Sequence, residues 1–296
     1  MHRYIIKRLL LMIPVIIGVS FLVFFIMDLA PGDAVDILAP EGATAEDLEA
    51  IRHDLGLDQP VIVRYVKYMG GMLHGDMGVS YVSKTDVFDT YMEKLPATIK
   101  LSFASILVSI LLSVPLGIYS ATRQGTVQDN ISMIVAMIGL SMPNFWLGLL
   151  LIIVFSLNLG WFPSGGDQTL SSIVLPAITI GTGLMATLTR TTRSSMLDVL
   201  KQEYLRTARA KGIPEKIVIT SHALRNALIP IITIIGTQLA GVLGGSVLTE
   251  TVFAWPGVGR LIVDSLNMRD TPLVTGSIIM TTILLSIILL LVDLLY

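Results

Sequence analysis

Six apolar stretches, each about as long as a bilayer is thick, organise the chain. They cover residues 9–27, 99–119, 131–157, 173–188, 229–248 and 273–291. Crossing the hydrocarbon core as a helix takes about 20 mainly apolar residues, so the pattern predicts an all-α polytopic membrane protein with six transmembrane helices. Pro14 is expected in the first turns of span one, where a missing amide donor costs least. Span three is interrupted by Ser141-Met142-Pro143-Asn144. The proline removes a donor and frees a carbonyl, which predicts a kink or break. Such backbone survives at membrane depth only when buried in protein or lining a wet path. Span four carries Thr179, Thr182, Thr187, Thr189, Gly181, Gly183 and Ala186, a set suited to helix packing. In span five Gly241 and Gly245 lie four residues apart, so another backbone can approach closely there. Gln238 is about a turn away, and an amide in lipid is costly unless paired or wetted. Asn144, Gln238, Gly241 and Gly245 are therefore candidates to line a wet path through the membrane, and Gly241 and Gly245 also to meet another helix closely. A hydrogen bond from Gln238 to a neighbouring helix is a nearly equal reading.

Between spans one and two, residues 29–95 form a polar insert. Thr44 with Asp47 predicts the start of a helix over about 45–55, ended by Gly56. Asp58 is expected to cap a second helix, with Pro60 near its start and Ile62, Tyr65, Val66, Met69 and Leu73 on one face packed on the membrane domain. The organisation is thus a first span (1–28), a helical insert (29–95) and a core of five spans (96–296).

Composition strengthens the membrane reading. Hydrophobic residues make up 53% of the chain and charged residues only 14%, against about 25% in soluble domains. The first apolar run lacks a convincing cleavage site and is expected to stay as a helix. The absence of cysteine excludes disulfides and thiolate metal sites. Charge distribution then sets orientation. Between residues 31 and 95 there are twelve acids and five bases, whereas residues 190–225 hold eight bases and three acids. Lys and Arg near span ends resist translocation, so the N-terminus, the 190–225 loop and the C-terminus are expected in the cytoplasm, with the insert outside.

That basic loop has helical order. Tyr204, Leu205, Ala208 and Lys211 fall at helical spacing, Gly212 can end the helix, and Pro214 can start the next. The segment EYLRTARAKG followed by HALRNALIP resembles the cytoplasmic loop of bacterial ATP-binding-cassette importer permeases, in the form typical of the dipeptide, oligopeptide and nickel members. The first two positions of the general Glu-Ala-Ala signature are replaced by Arg206-Thr207 before Ala208 and Gly212. LGLDQP, HGDMGVS, KLPAT, Pro31-Gly32-Asp33, SMPNFWLGLLL, TVFAWPGVGRL and NMRDTP are similar to the same family and occur in its order. The resemblance implies a type I importer permease fold and places Glu203, Tyr204, Arg206, Thr207, Ala208 and Gly212 in a coupling helix. It further implies a related second permease subunit, two ATPase subunits holding ATP and Mg, an extracytoplasmic binding protein, and a bacterial plasma membrane location. It leaves the cargo open between peptides and a nickel chelate. Residues 250–271 are expected as an outer loop whose Pro-Gly-x-Gly turn shapes a gate.

No phosphate loop, zinc pair or nucleophile elbow is present, so neither enzymatic chemistry nor a cofactor in this chain is expected. Nothing points to nucleic acid. The four histidines are scattered over different loops, a poor basis for a metal site, and His222 is expected to bond locally. The rival class, a secondary transporter, would carry ionisable residues mid-span. Here Asp28, Glu250 and Asp293 sit at span ends.

Overall fold

The apolar stretches fold as helices. The computed structural model describes residues 2–29, 32, 34–40 and 42–295; Pro31 and Asp33 of the Pro31-Gly32-Asp33 motif lie outside the described residues. Among the described residues five helices are long and apolar enough to cross a membrane. A sixth crossing is made when the pair Val127–Ser141 and Asn144–Asn158, bent by 96°, counts as one span. Packing divides the chain into two units, residues 1–98 with 256–290, and residues 99–255 with 291–296.

In the first unit, α1 (His2–Leu29) begins within the basic N-terminus, so Pro14 lies well inside the helix and not in its first turns. After α2 (Ala34–Leu38), α3 (Ala45–Asp54) starts as expected. Thr44 Oγ1 accepts from the Asp47 amide at 3.3 Å, and Asp47 accepts from the Thr44 amide at 2.9 Å. The next helix, α4 (Val61–Leu73), corrects two expectations. Asp58 does not cap it; Pro60 occupies that position, and Asp58 pairs with His53 Nδ1 at 2.8 Å. That hydrogen bond holds the Asp58 carboxyl below its ordinary range and raises the His53 imidazole. The expected packing face is borne out only in part. Tyr65 packs on α1, joined there by Arg64 and Tyr68, and Met69 is half-buried, but Ile62, Val66 and Leu73 are exposed.

The expected loop 250–271 is largely helical. α12 (Val247–Val252) precedes a turn at Phe253–Gly257, followed by α13 (Val258–Asn267) and α14 (Thr271–Leu295). Pro256 and Gly257 advertised a turn, but Gly257 is the N-cap of α13. Two distant motifs meet in this unit. The buried Asp270 carboxylate of NMRDTP accepts from Ser80 Oγ, from the Tyr81 amide at 3.1 Å and from the Val82 amide at 3.4 Å, at the end of HGDMGVS. It also receives the Leu273 amide at 3.4 Å, which caps the start of α14.

α5 (Val87–Thr122) starts well before the expected span at 99, because the helix continues through the charged residues around Glu93 and through Pro96. In the second unit it is followed by α6 (Val127–Ser141), α7 (Asn144–Leu151) with a π-helical continuation Ile152–Asn158, α8 (Val174–Leu200), α9 (Glu203–Ala210), α10 (Glu215–Ile217), a π-helical segment Val218–Ala223, and α11 (Leu224–Gly245). The break between α6 and α7 falls at Pro143, as the sequence predicts. α8 is the centre of this unit. Of its most apolar window 61% is buried, against 11% for α1. Its small residues allow this. A Cβ on Gly181 would stand 2.8 Å from the Ser105 carbonyl oxygen, and Gly139 of α6 meets the Thr182 carbonyl oxygen as closely as only glycine permits. Thr179, Thr189 and Ala186 are buried as expected, whereas Thr187 is exposed.

Candidate functional site

The basic segment forms a short helix held on a hydrophobic seat. α9 follows α8 after only Lys201 and Gln202. Leu205 is fully buried and Ala208 nearly so, among Leu188 and Met196 of α8, Val218 and Ala223 of the π-helical segment, and Ala227 and Ile231 of α11. The remaining candidate residues, Glu203, Tyr204, Arg206, Thr207 and Gly212, are exposed. Of the six coupling candidates Ala208 is therefore the one anchored by burial. Tyr204 ties the helix to the π-helical segment and to α11: its hydroxyl donates to the His222 carbonyl at 3.3 Å and accepts from Asn226 Nδ2 at 2.7 Å. Gly212 ends the segment at φ +76°, in the left-handed region that glycine adopts without strain. Arg209 forks onto Glu215 across that turn, at 3.1 and 2.9 Å. A basic, exposed helix surface is thus carried on a rigid seat built from α8 and α11. Truncating Leu205 to alanine is expected to cost about 2–5 kcal/mol of local anchoring. Amide exchange should then accelerate across 203–210 before α8 is affected; unchanged protection there would contradict the seat.

A second feature escaped sequence reasoning. The Asp129 carboxylate, 2% exposed, accepts Arg193 Nε at 2.8 Å and Nη2 at 2.7 Å, the Gly125 amide at 3.0 Å and the Ser120 hydroxyl. It clamps the α5–α6 turn to α8, two turns before α8 ends above α9. The readable signal is an acid two residues before an apolar stretch. Arg193 had counted only as one of the basic residues of the loop.

The path candidates separate. Gln238 Nε2 donates to the Leu184 carbonyl of α8 at 3.0 Å, the helix-pairing reading, while its buried Oε1 has no partner among the described residues. Asn144, first residue of α7 after the break, lies against Gly183 of α8. Gly241 is exposed with open space beside it, and Gly245 is the last residue of α11. Within the chain the close approach to α11 occurs at Gly236, against Val292. Glu250 sits beyond the α11 span, as expected of a span end, but is fully buried and accepts from Ser246 Oγ at 2.9 Å.

Comparison with known proteins agrees with this architecture. Residues 113–296 match the family described as binding-protein-dependent transport system inner membrane component, and residues 1–102 match the N-terminal part described for such membrane components. The chain is 43% identical over 307 residues to the oligopeptide transport system permease protein AppB of Bacillus subtilis, covering 100% of this chain and 97% of that protein. It is 42% identical over 296 residues to the glutathione transport system permease protein GsiC of Escherichia coli K12, with the same coverage. Among solved structures, an inward-facing MetNI methionine ABC transporter aligns with a TM-score of 0.59 at 18% identity, over 70% of this chain and 94% of that one, a likeness of fold.

Proposed function

Because the chain belongs to the family of binding-protein-dependent transport system inner membrane components, we propose that it serves an ATP-driven importer of peptides. Support for peptides as cargo comes from the relatives named for oligopeptide and glutathione transport. The observation that carries the coupling role is the anchored α9, whose exposed Glu203, Tyr204, Arg206 and Thr207 project from a seat made by two long apolar helices.

The assembly consists of this subunit, a homologous second permease subunit, two ATPase subunits and an extracytoplasmic binding protein. ATP and Mg are held by the ATPases and hydrolysis occurs there. The basic N-terminus and α9 face the cytoplasm of a bacterial cell, in keeping with Lys and Arg retention on that side. ATP-driven closure of the ATPase pair pushes on α9. Because α9 is fixed to α8 and α11, the push reaches both helices as a rigid-body displacement, and the spans alternate between outward and inward access. The break at Pro143–Asn144 and the Gln238–Gly241–Gly245 side of α11 contribute to the path. Gly241, open within this chain, leaves room for the second subunit.

Co-purification of the tagged chain from native membranes, with mass identification of the partners, tests this reading. The expected result is recovery of two ATPases and a second permease. Recovery of the chain alone or as a homo-oligomer in gentle detergent would overturn it.

A further inference from the structure

α4 turns Ile62, Val63, Val66 and Leu73 away from the protein. Ile62 and Val66, one turn apart, are 67% and 62% exposed. The opposite face holds α4 to α1. The Tyr65 ring stands edge-on to Phe21 and Phe24, the Tyr68 ring lies against Phe24, and the Tyr65 hydroxyl donates to the Ile17 carbonyl at 3.2 Å. These contacts set a depth. The apolar run of α1 ends at Met27, and Asp28 beyond it pairs with Arg64 of α4. Ile17 lies ten residues from Met27, about 15 Å along the axis, which is half of a hydrocarbon core about 30 Å thick. Phe21 and Phe24 lie about 5–9 Å inside the same edge.

The exposed surfaces also join. Ile62 and Val61 line one recess with Phe21 and Phe25 of α1. The surface of α1 left uncovered around them is apolar, with Leu22 and Ile26 59% and 61% exposed. Neither Ile62 nor Val66 offers a hydrogen bond, so this face suits hydrocarbon and gives a protein partner no polar handle. Lys67, the polar neighbour on α4, reaches Gln59 at 2.9 Å, and a long stem of this kind keeps its ammonium at headgroup level.

We propose that α4 is sunk into the leaflet that holds residues 17–27 of α1, with Ile62 and Val66 against phospholipid acyl chains. The insert between the first two spans is then a membrane-seated element, and only its α3 side faces water. The inference rests on α1 crossing the membrane and is independent of cargo. In the orientation proposed above the leaflet is the extracytoplasmic one.

The natural chain has no cysteine, so single spin labels can be placed on the full-length protein in phospholipid nanodiscs. Ile62→Cys and Val66→Cys are the test positions. Leu22→Cys and Ile26→Cys report lipid, and Glu49→Cys, with its side chain 69% exposed on α3, reports water. Collision rates with oxygen and with a water-soluble nickel chelate are then compared. The expected result is that Ile62 and Val66 shift toward oxygen as Leu22 and Ile26 do, opposite to Glu49. Access to the chelate at the level of Glu49 would overturn the proposal, because the face is then in water. Access to neither reagent would also overturn it, because protein then covers the face.

Discussion

Replacing Asp129 with alanine is expected to destabilise the membrane-inserted protein by about 3–5 kcal/mol, the scale seen when one partner of a buried ion pair is removed. The physical reason is the orphaned charge. Arg193 is held by two hydrogen bonds to this carboxylate, and the Gly125 amide and Ser120 hydroxyl also depend on it. Removing the acid leaves a guanidinium and two further donors without their acceptor. Unfolding titrations in mild detergent measure the loss. The double variant Asp129→Ala with Arg193→Leu should recover part of it, since no cation is then left unpaired. A loss below about 1 kcal/mol for the single variant, typical of a surface pair, would show that the clamp carries little stability.

The second large effect is on transport. Gly212→Pro is expected to reduce uptake by the reconstituted assembly toward background while ATP hydrolysis continues. Gly212 sits at φ +76° and its amide donates to the Arg209 carbonyl at 2.9 Å. Proline is locked near φ −65° and has no amide hydrogen, so the turn that ends α9 must re-form. The fork of Arg209 on Glu215 spans the same turn and would be disturbed with it. Gly212→Asn is the matched control, because asparagine visits the left-handed region at small cost, and it should retain most uptake. Uptake and ATPase activity measured side by side in proteoliposomes separate coupling from assembly. Unchanged uptake in the proline variant would remove α9 from the coupling role.

The outline of this protein was legible because apolar run length, proline and glycine act locally. The broken third span follows from Pro143 alone, the α3 start from Thr44 and Asp47, and the α9 end from Gly212. Asn144 and Gln238 could be picked out as polar residues in apolar spans, but which carbonyl or glycine each would meet could not. Misreadings came where one local signal had two outcomes. Pro256-Gly257 read as a turn in a loop, yet the same pair starts α13. Asp58 had the chemistry of a cap, but His53 took its carboxylate. The one-face reading of α4 holds for Tyr65, which packs on α1, and fails for Ile62, Val66 and Leu73, because helical spacing groups apolar residues without saying whether protein or lipid covers them.

By itself, the sequence determined the number and placement of apolar spans, the basic loop and its short helix, and the family to which these motifs belong. All of these depend on residues within a few turns of one another. The tertiary structure alone decided the Asp129–Arg193 clamp across 64 residues, the meeting of Ser80 with Asp270 across 190, and the seating of Leu205 and Ala208 among α8 and α11. A charge or hydroxyl advertises that it needs a partner, but which partner satisfies it depends on which helices the chain brings side by side. That choice is made by the small residues at their crossings, such as Gly139 against Thr182 and Gly181 against Ser105.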